Sequence, residues 1–230
     1  MTNPRPFLDI IAARHCQRAF LPDEVPRETI DNILATAANA PSGKNTQPWQ
    51  VEIVTGEALQ SLSSRLCKLF DAETPLSPDY AYDPDPKPPE FIARARACGH
   101  AIFSHKNIGR HDHAGRRAHV RRNFVFFDAP LLGIFHLPQG AARGNFLDLG
   151  MFMQNVMLGL VAHGLGSCPQ ASIAGYPGAI RECLGLDDSR LIVAGLAIGV
   201  PDQADPVNTF IPERLPLEEF VQWHATRHTA

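Results

Sequence analysis

The sequence lacks the cysteine pattern of a disulfide framework or of a thiolate metal site. Its five cysteines are scattered over 230 residues, their number is odd, and no two of them form a CxxC pair. Small secreted scaffolds and zinc-binding domains are therefore disfavoured, and a reducing compartment, the cytoplasm, is expected. No apolar run approaches membrane-spanning length, and Met1 to Phe7 contain no apolar signal-peptide core, so we expect no membrane association.

The chain also lacks a strong excess of charge of either sign. Its 21 lysines and arginines and 24 aspartates and glutamates give a formal net charge of −3, and 44% of the residues are hydrophobic. This balance is typical of a folded protein and disfavours a nucleic-acid partner. The sequence contains no internal repeat. We predict a single domain over residues 1–230, with a proline-rich excursion at about 75–122 and an extended C-terminal arm at about 201–230.

Hydrophobic periodicity predicts a mixture of strands and helices. Alternation of apolar and polar residues predicts a strand over Val51–Thr55, and apolar runs predict strands over Leu131–Leu137 and Leu191–Val200. The run from Phe146 to His163 is apolar on most sides and predicts a central buried helix, with Asn145 as its N-cap. Further helical patterns lie at Phe7–Ile11, from Pro26 to Ala40, over Leu59–Leu69, from Phe91 to Phe103 and from Pro177 to Gly185.

Two unusual segments lie in the predicted excursion. Residues 75–89 contain six prolines, which is typical of a loop that lies over other structure. Residues 105–122 are rich in histidine and arginine. These histidines do not have the spacing of zinc ligands, so no metal is expected, and the segment contains no nucleic-acid-binding motif. A solvated helix face is the favoured interpretation of this segment.

A turn between the second predicted helix and the first predicted strand concentrates hydrogen-bond donors. It reads APSGKNTQPW over residues 40–49, and Pro41 and Pro48 fix the backbone at both ends. A phosphate-binding P-loop is excluded, because Ala38 and Asn45 stand where that motif needs Gly and Ser or Thr. The remaining interpretations are a simple connection and a site for an anion or a polar, electron-accepting ring.

Two other segments are candidates for ligand contact. Arg14 and Arg18 are four residues apart, a spacing that places both guanidinium groups on one side of a helix or tight turn and suits a phosphate. For an isolated pair of this kind, two solvated arginines are the favoured interpretation. Gly164 and Gly166 allow the backbone to come close to a ligand. Cys168 is interpreted as an inert thiol rather than a nucleophile.

Taken together, these segments resemble the nitroreductase family of FMN-dependent oxidoreductases, in particular its nitrobenzoate-reductase-like branch. Five motifs carry the resemblance; they occur in the family's order and cover nearly the whole chain. They are RHCQRAF at 14–20, APSGKNTQPW at 40–49, FFDAP at 126–130, GLGSCPQ at 164–170, and PVNTF at 206–210 continuing to RLPL at 214–217. The resemblance implies an α+β fold, in which a mostly antiparallel central sheet is flanked by helices, and a domain-swapped homodimer with the long central helix at its interface.

The resemblance also implies which residues contact FMN. Arg14 and Arg214 hold the phosphate, with His15 and Cys16 beside it, and Arg18 reaches the phosphate or the N1/O2 edge of the ring. Residues of the 40–49 turn meet the flavin from the other subunit, residues 169–171 pass its N5 and O4 atoms, and one asparagine is a weaker candidate. The implied set is Arg14, His15, Cys16, Arg18, Pro41, Ser42, Gly43, Asn45, Gln47, Asn123, Pro169, Gln170, Ala171 and Arg214.

Two positions depart from the family pattern. Cys16 stands where relatives usually have serine, so a hydroxyl donor to the phosphate is replaced by a weaker donor. Many members carry a second basic residue near the position of Ile211, so the phosphate depends more heavily on Arg14 and Arg214. We expect both departures to lower the affinity for FMN without preventing its binding.

The activity implied by the resemblance is that of an NAD(P)H-dependent nitroreductase. FMN is the expected cofactor and NADH or NADPH the co-substrate, and nitroaromatic or quinone-like small molecules are the acceptors in a ping-pong hydride transfer through flavin N5. No catalytic side chain is expected, because the flavin carries the chemistry. Two alternatives stay open: a flavin-binding protein with little turnover, and a family relative that acts on enones or halogenated aryl substrates.

Overall fold

Four strands form one antiparallel sheet at the centre of the protein. The structure is a computed structural model that describes residues 6–224. The strands are β1 (Gln50–Thr55), β2 (Leu131–Pro138), β3 (Gly166–Gln170) and β4 (Arg190–Gly199), and their order in the sheet is β1-β2-β4-β3. Each neighbouring pair is antiparallel. The predicted α+β class with an antiparallel sheet is confirmed.

Helices account for most of the remaining regular structure among residues 6–224. Each helical pattern in the sequence corresponds to one helix, although α2 ends at Ala37 rather than Ala40. The last turn before Pro41 tightens instead, because Asn39 N donates to Thr36 O and Ala40 N to Ala37 O. The helices are α1 (Phe7–Ala13), α2 (Arg27–Ala37), α3 (Gly56–Asp71), α4 (Pro89–His105), α5 (His113–Arg121), α6 (Arg143–Ala162) and α7 (Pro177–Leu184).

Strand β3 was not among the predicted strands. Its sequence, Gly-Ser-Cys-Pro-Gln, contains two residue types that are disfavoured in strands. Pro169 is tolerated because β3 is an edge strand of the sheet, paired in register only with β4. Proline has no backbone N–H, and on the open side of an edge strand this removes no hydrogen bond between strands. Its position next to β4 brings the GLGSCPQ motif into the sheet.

Both faces of the sheet are covered by helices, which gives two hydrophobic cores. On one face, α3 and α7 pack against the sheet together with the 3₁₀ turn Arg122–Asp128, whose phenylalanines are buried. On the other face, α2 and α6 pack against β2 and β4. Strand β4 alternates between the two cores: Ile192 and Ala197 belong to the first and Leu196 and Ile198 to the second. Burying one such large side chain stabilises the fold by about 1.5–3 kcal/mol.

The start of α6 differs from the expected position. The helix begins at Arg143, three residues before the predicted Phe146, and Ala142 occupies the N-cap position. Asn145 lies in the first turn, where its Oδ1 accepts a hydrogen bond from Ala142 N at 3.0 Å. The prediction of Asn145 as N-cap is therefore wrong, because its side chain reaches back to the cap from the third helical residue.

The proline-rich loop is fixed to the body of the protein by buried polar contacts. The carboxylate of Asp79 accepts hydrogen bonds from Arg181 at 2.8 and 2.9 Å and from Ile192 N at 2.9 Å. The hydroxyl of Tyr80 donates to Val193 O at 2.9 Å. The loop therefore has a defined course over α7 and β4 although residues 72–88 form no helix or strand.

The C-terminal segment exposes large apolar side chains. After the 3₁₀ turn Pro206–Thr209, the chain contributes little to the cores, and Ile211, Leu217 and Phe220 are exposed. Trp223 is 90% exposed. Residues 225–230 of the predicted arm, like residues 1–5 at the N-terminus, lie outside the described part of the chain.

Candidate functional site

Residues 14–21 run in extended form along the β3 edge of the sheet. Cys16 forms an isolated parallel bridge with Ser167 of β3, and Gln17 N donates to Ser167 O at 3.0 Å. Further along, Leu21 N donates to Val200 O at 2.9 Å. Extended backbone must find hydrogen-bond partners outside its own segment. The hydrogen bonds to Ser167 O and Val200 O supply such partners, and they hold residues 14–21 beside the GLGSCPQ motif.

Asn208 holds the same segment from the C-terminal side. Its side chain is buried; Oδ1 accepts from Arg18 N at 2.7 Å, and Nδ2 donates to Ala19 O at 2.8 Å and Asp202 O at 2.9 Å. One amide thus satisfies backbone groups of two separate segments. Sequence reasoning did not name Asn208 as a site residue. The available signal was the single amide side chain within the PVNTF motif.

The extended backbone changes the explanation for the arginine pair. Arg14 has φ −69° and ψ 112°, so the segment is not helical and the predicted helical spacing of Arg14 and Arg18 is wrong. Alternate residues of an extended chain share a face, which places Arg14, Cys16 and Arg18 on the same side. Both guanidinium groups act on the Cys16 thiol. Neither arginine has a carboxylate partner among residues 6–224.

His15 faces the opposite way and is engaged by the protein itself. Its Nδ1 lies 2.8 Å from Ala13 O and its Nε2 lies 2.9 Å from Asn208 O. The side-chain nitrogen of Gln17, the next residue on that face, lies 3.0 Å from His15 Nε2. The His15 ring therefore stabilises the course of the segment.

Two thiols, Cys16 and Cys168, act on each other at the centre of this site, and Cys168 Sγ also lies 3.9 Å from Pro169 O. The hydrogen bond from Cys168 lowers the pKa of Cys16 to about 5, against the effect of burial, and Arg18 and Arg14 lower the pKa further. The pKa of Cys168 is raised well above its usual value by the same bond and by burial. Cys168 is a buried thiol, as predicted, whereas the lowered pKa of Cys16 favours its thiolate form at neutral pH.

The acidity of Cys16 gives a pH prediction for the protein without bound ligand. Because a thiolate reacts and a thiol does not, alkylation of Cys16 by iodoacetamide should stay near its plateau down to pH 6 and fall through a midpoint near pH 5. Cys183 is an internal control, since burial and Glu182 raise its pKa above the usual value. Peptide mapping by mass spectrometry separates the two sites. In Cys168→Ala the midpoint of Cys16 should move upward, and equal midpoints for Cys16 and Cys183 would contradict the assignment.

Asn123 and Gln170 meet at the end of β3. Gln170 is 2% exposed, and its Nε2 donates to Asn123 O at 2.8 Å. Gln170 Oε1 and Ser172 Oγ are buried side-chain atoms without a hydrogen-bond partner within the described chain. Pro169 and Ala171 flank Gln170 and are exposed. Buried polar atoms without a hydrogen-bond partner are rare, so this end of β3 is a candidate binding site for a polar ligand.

The donor-rich turn lies elsewhere, against the start of α6. Gly43 N faces the carboxylate of Asp148 at 3.3 and 3.4 Å, and Asp148 is 6% exposed. Lys44, Asn45 and Gln47 have positive φ values of 53°, 58° and 46°. Non-glycine residues in this region are strained, and such strain clusters at functional sites. Pro41, Asn45 and Gln47 are exposed, and Ser42 Oγ accepts from Gln47 N at 3.0 Å.

The predicted cofactor residues thus fall into separate groups. The structure brings Arg14, Cys16 and Arg18 together beside β3, and it brings Asn123 to Gln170. No hydrogen bond or ion pair within residues 6–224 joins the 41–47 turn to either group. Arg214 is exposed in the arm, where its Nη1 donates to Pro212 O at 2.7 Å and to Glu213 O at 3.1 Å.

His119 lies among basic side chains: the charges of Arg18, Lys106 and Arg122 all act on it. His119 on α5 is half-buried; burial lowers its pKa, and the charges of Arg18, Lys106 and Arg122 lower it further. Its Nδ1 and Arg122 Nε are buried without a partner in the described chain. The interpretation of 105–122 as a solvated helix face is wrong for these residues, because α5 packs one side inward. Only the three-dimensional arrangement places them near Arg18.

The fold defines a class of protein: an α+β domain in which helices cover both faces of a four-stranded antiparallel sheet. The sequence profile described as "Nitroreductase family" matches residues 11–200. The chain belongs to the nitroreductase family. The predicted family is thereby confirmed.

Individual relatives cover almost the whole chain. Chloronitrobenzene nitroreductase of Comamonas testosteroni is 35% identical over 217 residues, 94% of this chain and 96% of that one. The 4-nitrobenzoate reductase of Pseudomonas putida is 36% identical over 209 residues, 91% and 90% of the two chains. The crystal structure of the FMN and NADPH-dependent nitroreductase NfnB from sphigopyxis sp. strain HMH superposes with a TM-score of 0.93 at 34% identity, covering 96% of this chain and 100% of that one.

Proposed function

We propose that this chain is an FMN-dependent oxidoreductase that uses NAD(P)H to reduce nitroaromatic or quinone-like acceptors in a ping-pong cycle. The observation that carries the proposal is the pair Arg14 and Arg18, on one face of a fixed segment and without carboxylate partners among residues 6–224. Two such guanidinium groups suit a phosphate monoester. The chloronitrobenzene and 4-nitrobenzoate relatives and the FMN- and NADPH-dependent structural neighbour support the acceptor class and the cofactors.

The residues at the arginine pair fit the phosphate end of FMN. Arg14 and Arg18 supply the positive charge, and the Asn208 side chain fixes the backbone of Arg18. Cys16 opposes the phosphate, because a thiolate and a phosphate repel each other. Cys16 therefore takes up a proton when the phosphate binds, and this cost is the physical reason for the expected lower affinity relative to a serine at the same position.

The residues at the end of β3 fit the polar edge of the flavin ring. Gln170 Oε1 and Ser172 Oγ are buried without partners in the described chain, and the ring edge offers both a donor and acceptors. The exposed backbone of Pro169 and Ala171 lies beside them. Bound FMN supplies the hydride chemistry.

We further propose that the working unit is a homodimer in which each site uses both chains. Its main support is that no hydrogen bond or ion pair within residues 6–224 joins the 41–47 turn to Arg14 or Arg18. A second copy supplies the turn, with Pro41, Ser42, Gly43, Asn45 and Gln47 facing the flavin. Arg214, on the exposed arm, reaches the phosphate in the assembled dimer.

Exposed apolar surface supports this assembly. Helix α6 has the length and composition of a membrane span, but it carries the buried Asp148 and lies in the core on one side. Its Leu147 is 66% exposed, and Phe7 and Leu8 of α1 are exposed as well. Apolar patches of this kind mark interaction surfaces. We propose that α6 lies at the dimer interface.

The open edge of the sheet suits the C-terminal arm of a second chain. Strand β1 pairs with β2 alone within the described chain, so its other edge has unpaired backbone groups. A cavity of about 1140 Å³ runs along this edge between α2 and α3. The exposed apolar side chains of the arm need such a surface. The residues of the cavity wall include Ile30, Leu34, Val51, Ile53 and Leu59.

We propose a cytoplasmic location because the cysteines form no disulfide within the described chain. All five are free thiols in the structure. Free thiols, Cys183 exposed among them, suit a reducing compartment.

Two anaerobic half-reactions test the proposed activity. The purified protein with FMN should be yellow, should bleach when NADPH or NADH is added, and should recover its colour when 4-nitrobenzoate or nitrobenzene follows. Stopped-flow absorbance records both steps. A yellow protein that neither nucleotide bleaches would contradict the proposal and favour a flavin-binding protein with little turnover. A protein that bleaches but recovers only with an enone or a halogenated arene would contradict the acceptor class.

A further inference from the structure

The segment 94–122 carries a local excess of positive charge. It contains eight lysines and arginines and a single acidic residue, Asp112, in a chain whose net charge is −3. Asp112 is engaged at the start of α5, where its Oδ1 accepts from Gly115 N at 2.8 Å. The basic residues are Arg94, Arg96, Lys106, Arg110, Arg116, Arg117, Arg121 and Arg122.

Half of these cations are neutralised by ion pairs and half are not. Lys106 pairs with Asp205, and the three arginines at 117, 121 and 122 pair with Glu73, Asp71 and Asp128. The other four have no carboxylate partner within residues 6–224. They are Arg94, Arg96, Arg110 and Arg116.

Three of the four unpaired arginines line one cavity. This cavity, which we call the arginine cleft, has a volume of about 640 Å³ and lies between α4 and the loop leading to α5. None of its seven lining residues carries a carboxylate. Its wall is formed by Arg96, Ala97, Gly99, His100, Phe103, Arg110 and Arg116.

Arg116 is held in place over an aromatic ring. Its guanidinium carbon lies 4.6 Å from the centroid of Phe103, and its Nε donates to Gly109 O at 3.2 Å. The exposed surface inside the cleft is mostly apolar. A cationic rim around an apolar floor suits a ligand that joins an anionic group to a flat ring.

A ring contact connects the cleft to α5, whose His119 is affected by the charge of Arg18. The Phe103 ring meets His119 edge to face, with a centroid distance of 5.4 Å. His119 in turn is close enough to Arg18 to be affected by its charge. Phe103 of the cleft wall and the charge of Arg18 therefore both act on His119.

We propose that the arginine cleft binds the 2′-phosphate end of NADPH and makes the protein prefer NADPH to NADH. This proposal rests on the proposed function, since it names the co-substrate of the same flavin site. A phosphate monoester attracts the guanidinium groups of Arg96, Arg110 and Arg116, and the adenine lies on the apolar surface beside the stacked Arg116–Phe103 pair. NADH lacks this phosphate, so it gains nothing from the cleft.

The double variant Arg96→Ala/Arg110→Ala separates the two nucleotides. We expect KM for NADPH to rise roughly 10-fold or more while kcat stays unchanged. With NADH, KM should also stay unchanged. The matched control is Arg94→Ala, which removes an unpaired arginine from the same helix but outside the cleft. Calorimetric titration of the oxidised, FMN-loaded protein with 2′,5′-ADP and with 5′-AMP provides a readout without turnover. Only 2′,5′-ADP should lose affinity in the double variant.

The outcomes distinguish this proposal from its alternatives. An unchanged KM for NADPH together with unchanged 2′,5′-ADP binding overturns it. An effect confined to 4-nitrobenzoate, with nitrobenzene unaffected, overturns it in favour of a carboxylate site for the acceptor. If neither nucleotide reduces the wild-type protein, the proposed function fails. Even in that case, the titration with 2′,5′-ADP tests the cleft by itself, because binding that is lost in the Arg96→Ala/Arg110→Ala variant supports the cleft as a phosphate site.

Discussion

Replacing Arg14 by alanine should raise the dissociation constant of FMN by roughly 10- to 100-fold and give a nearly colourless purified protein. The lost charge-assisted contacts to a phosphate are typically worth about 1.5–3 kcal/mol, and each 1.4 kcal/mol is about tenfold in affinity. Arg14 has no carboxylate partner within residues 6–224, and the Cys16 sulfur, whose negative charge it favours, can take up a proton when Arg14 is removed, so no buried charge is stranded. Folding stability should therefore be retained, which thermal unfolding of the ligand-free protein checks.

Two further variants separate charge from geometry at this position. Arg14→Lys keeps the charge and loses the planar fork, so its FMN affinity should lie between wild type and alanine. Arg65→Ala, which removes an exposed arginine paired with Glu182 on the α3 side, is the control for a general loss of charge. Fluorescence titration of the ligand-free proteins with FMN gives all three constants. Equal constants for wild type and Arg14→Ala would remove Arg14 from the site.

The sequence predicted the parts of the fold whose patterns are local. β2 and β4 are continuous apolar runs because both faces of these strands are buried, and the prolines and glycines that start and end α7 act within one turn. β3 could not be predicted in this way. Its Gly166 and Pro169 contradict strand propensity, and it is a strand because β4 and residues 16 and 17 supply partners from distant parts of the chain.

The candidate site was predicted by residue type, but its geometry depends on tertiary contacts. Arg14 and Arg18 were paired on helical spacing, whereas the observed face comes from an extended backbone held by Asn208. The acidity of Cys16 requires the thiol of Cys168, which is 152 residues away along the chain (168 − 16). His119 was assigned to a solvated face because periodicity alone does not show which side of α5 packs inward.

The central claim is that one flavin site needs residues from two chains, and mixed dimers test it. One chain carries Arg14→Ala with a normal 41–47 turn. The other carries Asn45→Ala/Gln47→Ala with a normal Arg14; both replaced residues have positive φ, so alanine loses the amide and strains the turn. The control Asn45→Gly/Gln47→Gly keeps the backbone conformation and loses only the side chains.

In a shared site, the mixed dimer contains one site with both changes and one site with neither. The measurement is the FMN content of mixed dimers, isolated with two different affinity tags, at an FMN concentration where both parent homodimers are nearly empty. The predicted result is about one FMN per mixed dimer, bound with wild-type affinity. A mixed dimer as empty as its parents, or a monomer that binds FMN with wild-type affinity, would show that the site lies within a single chain.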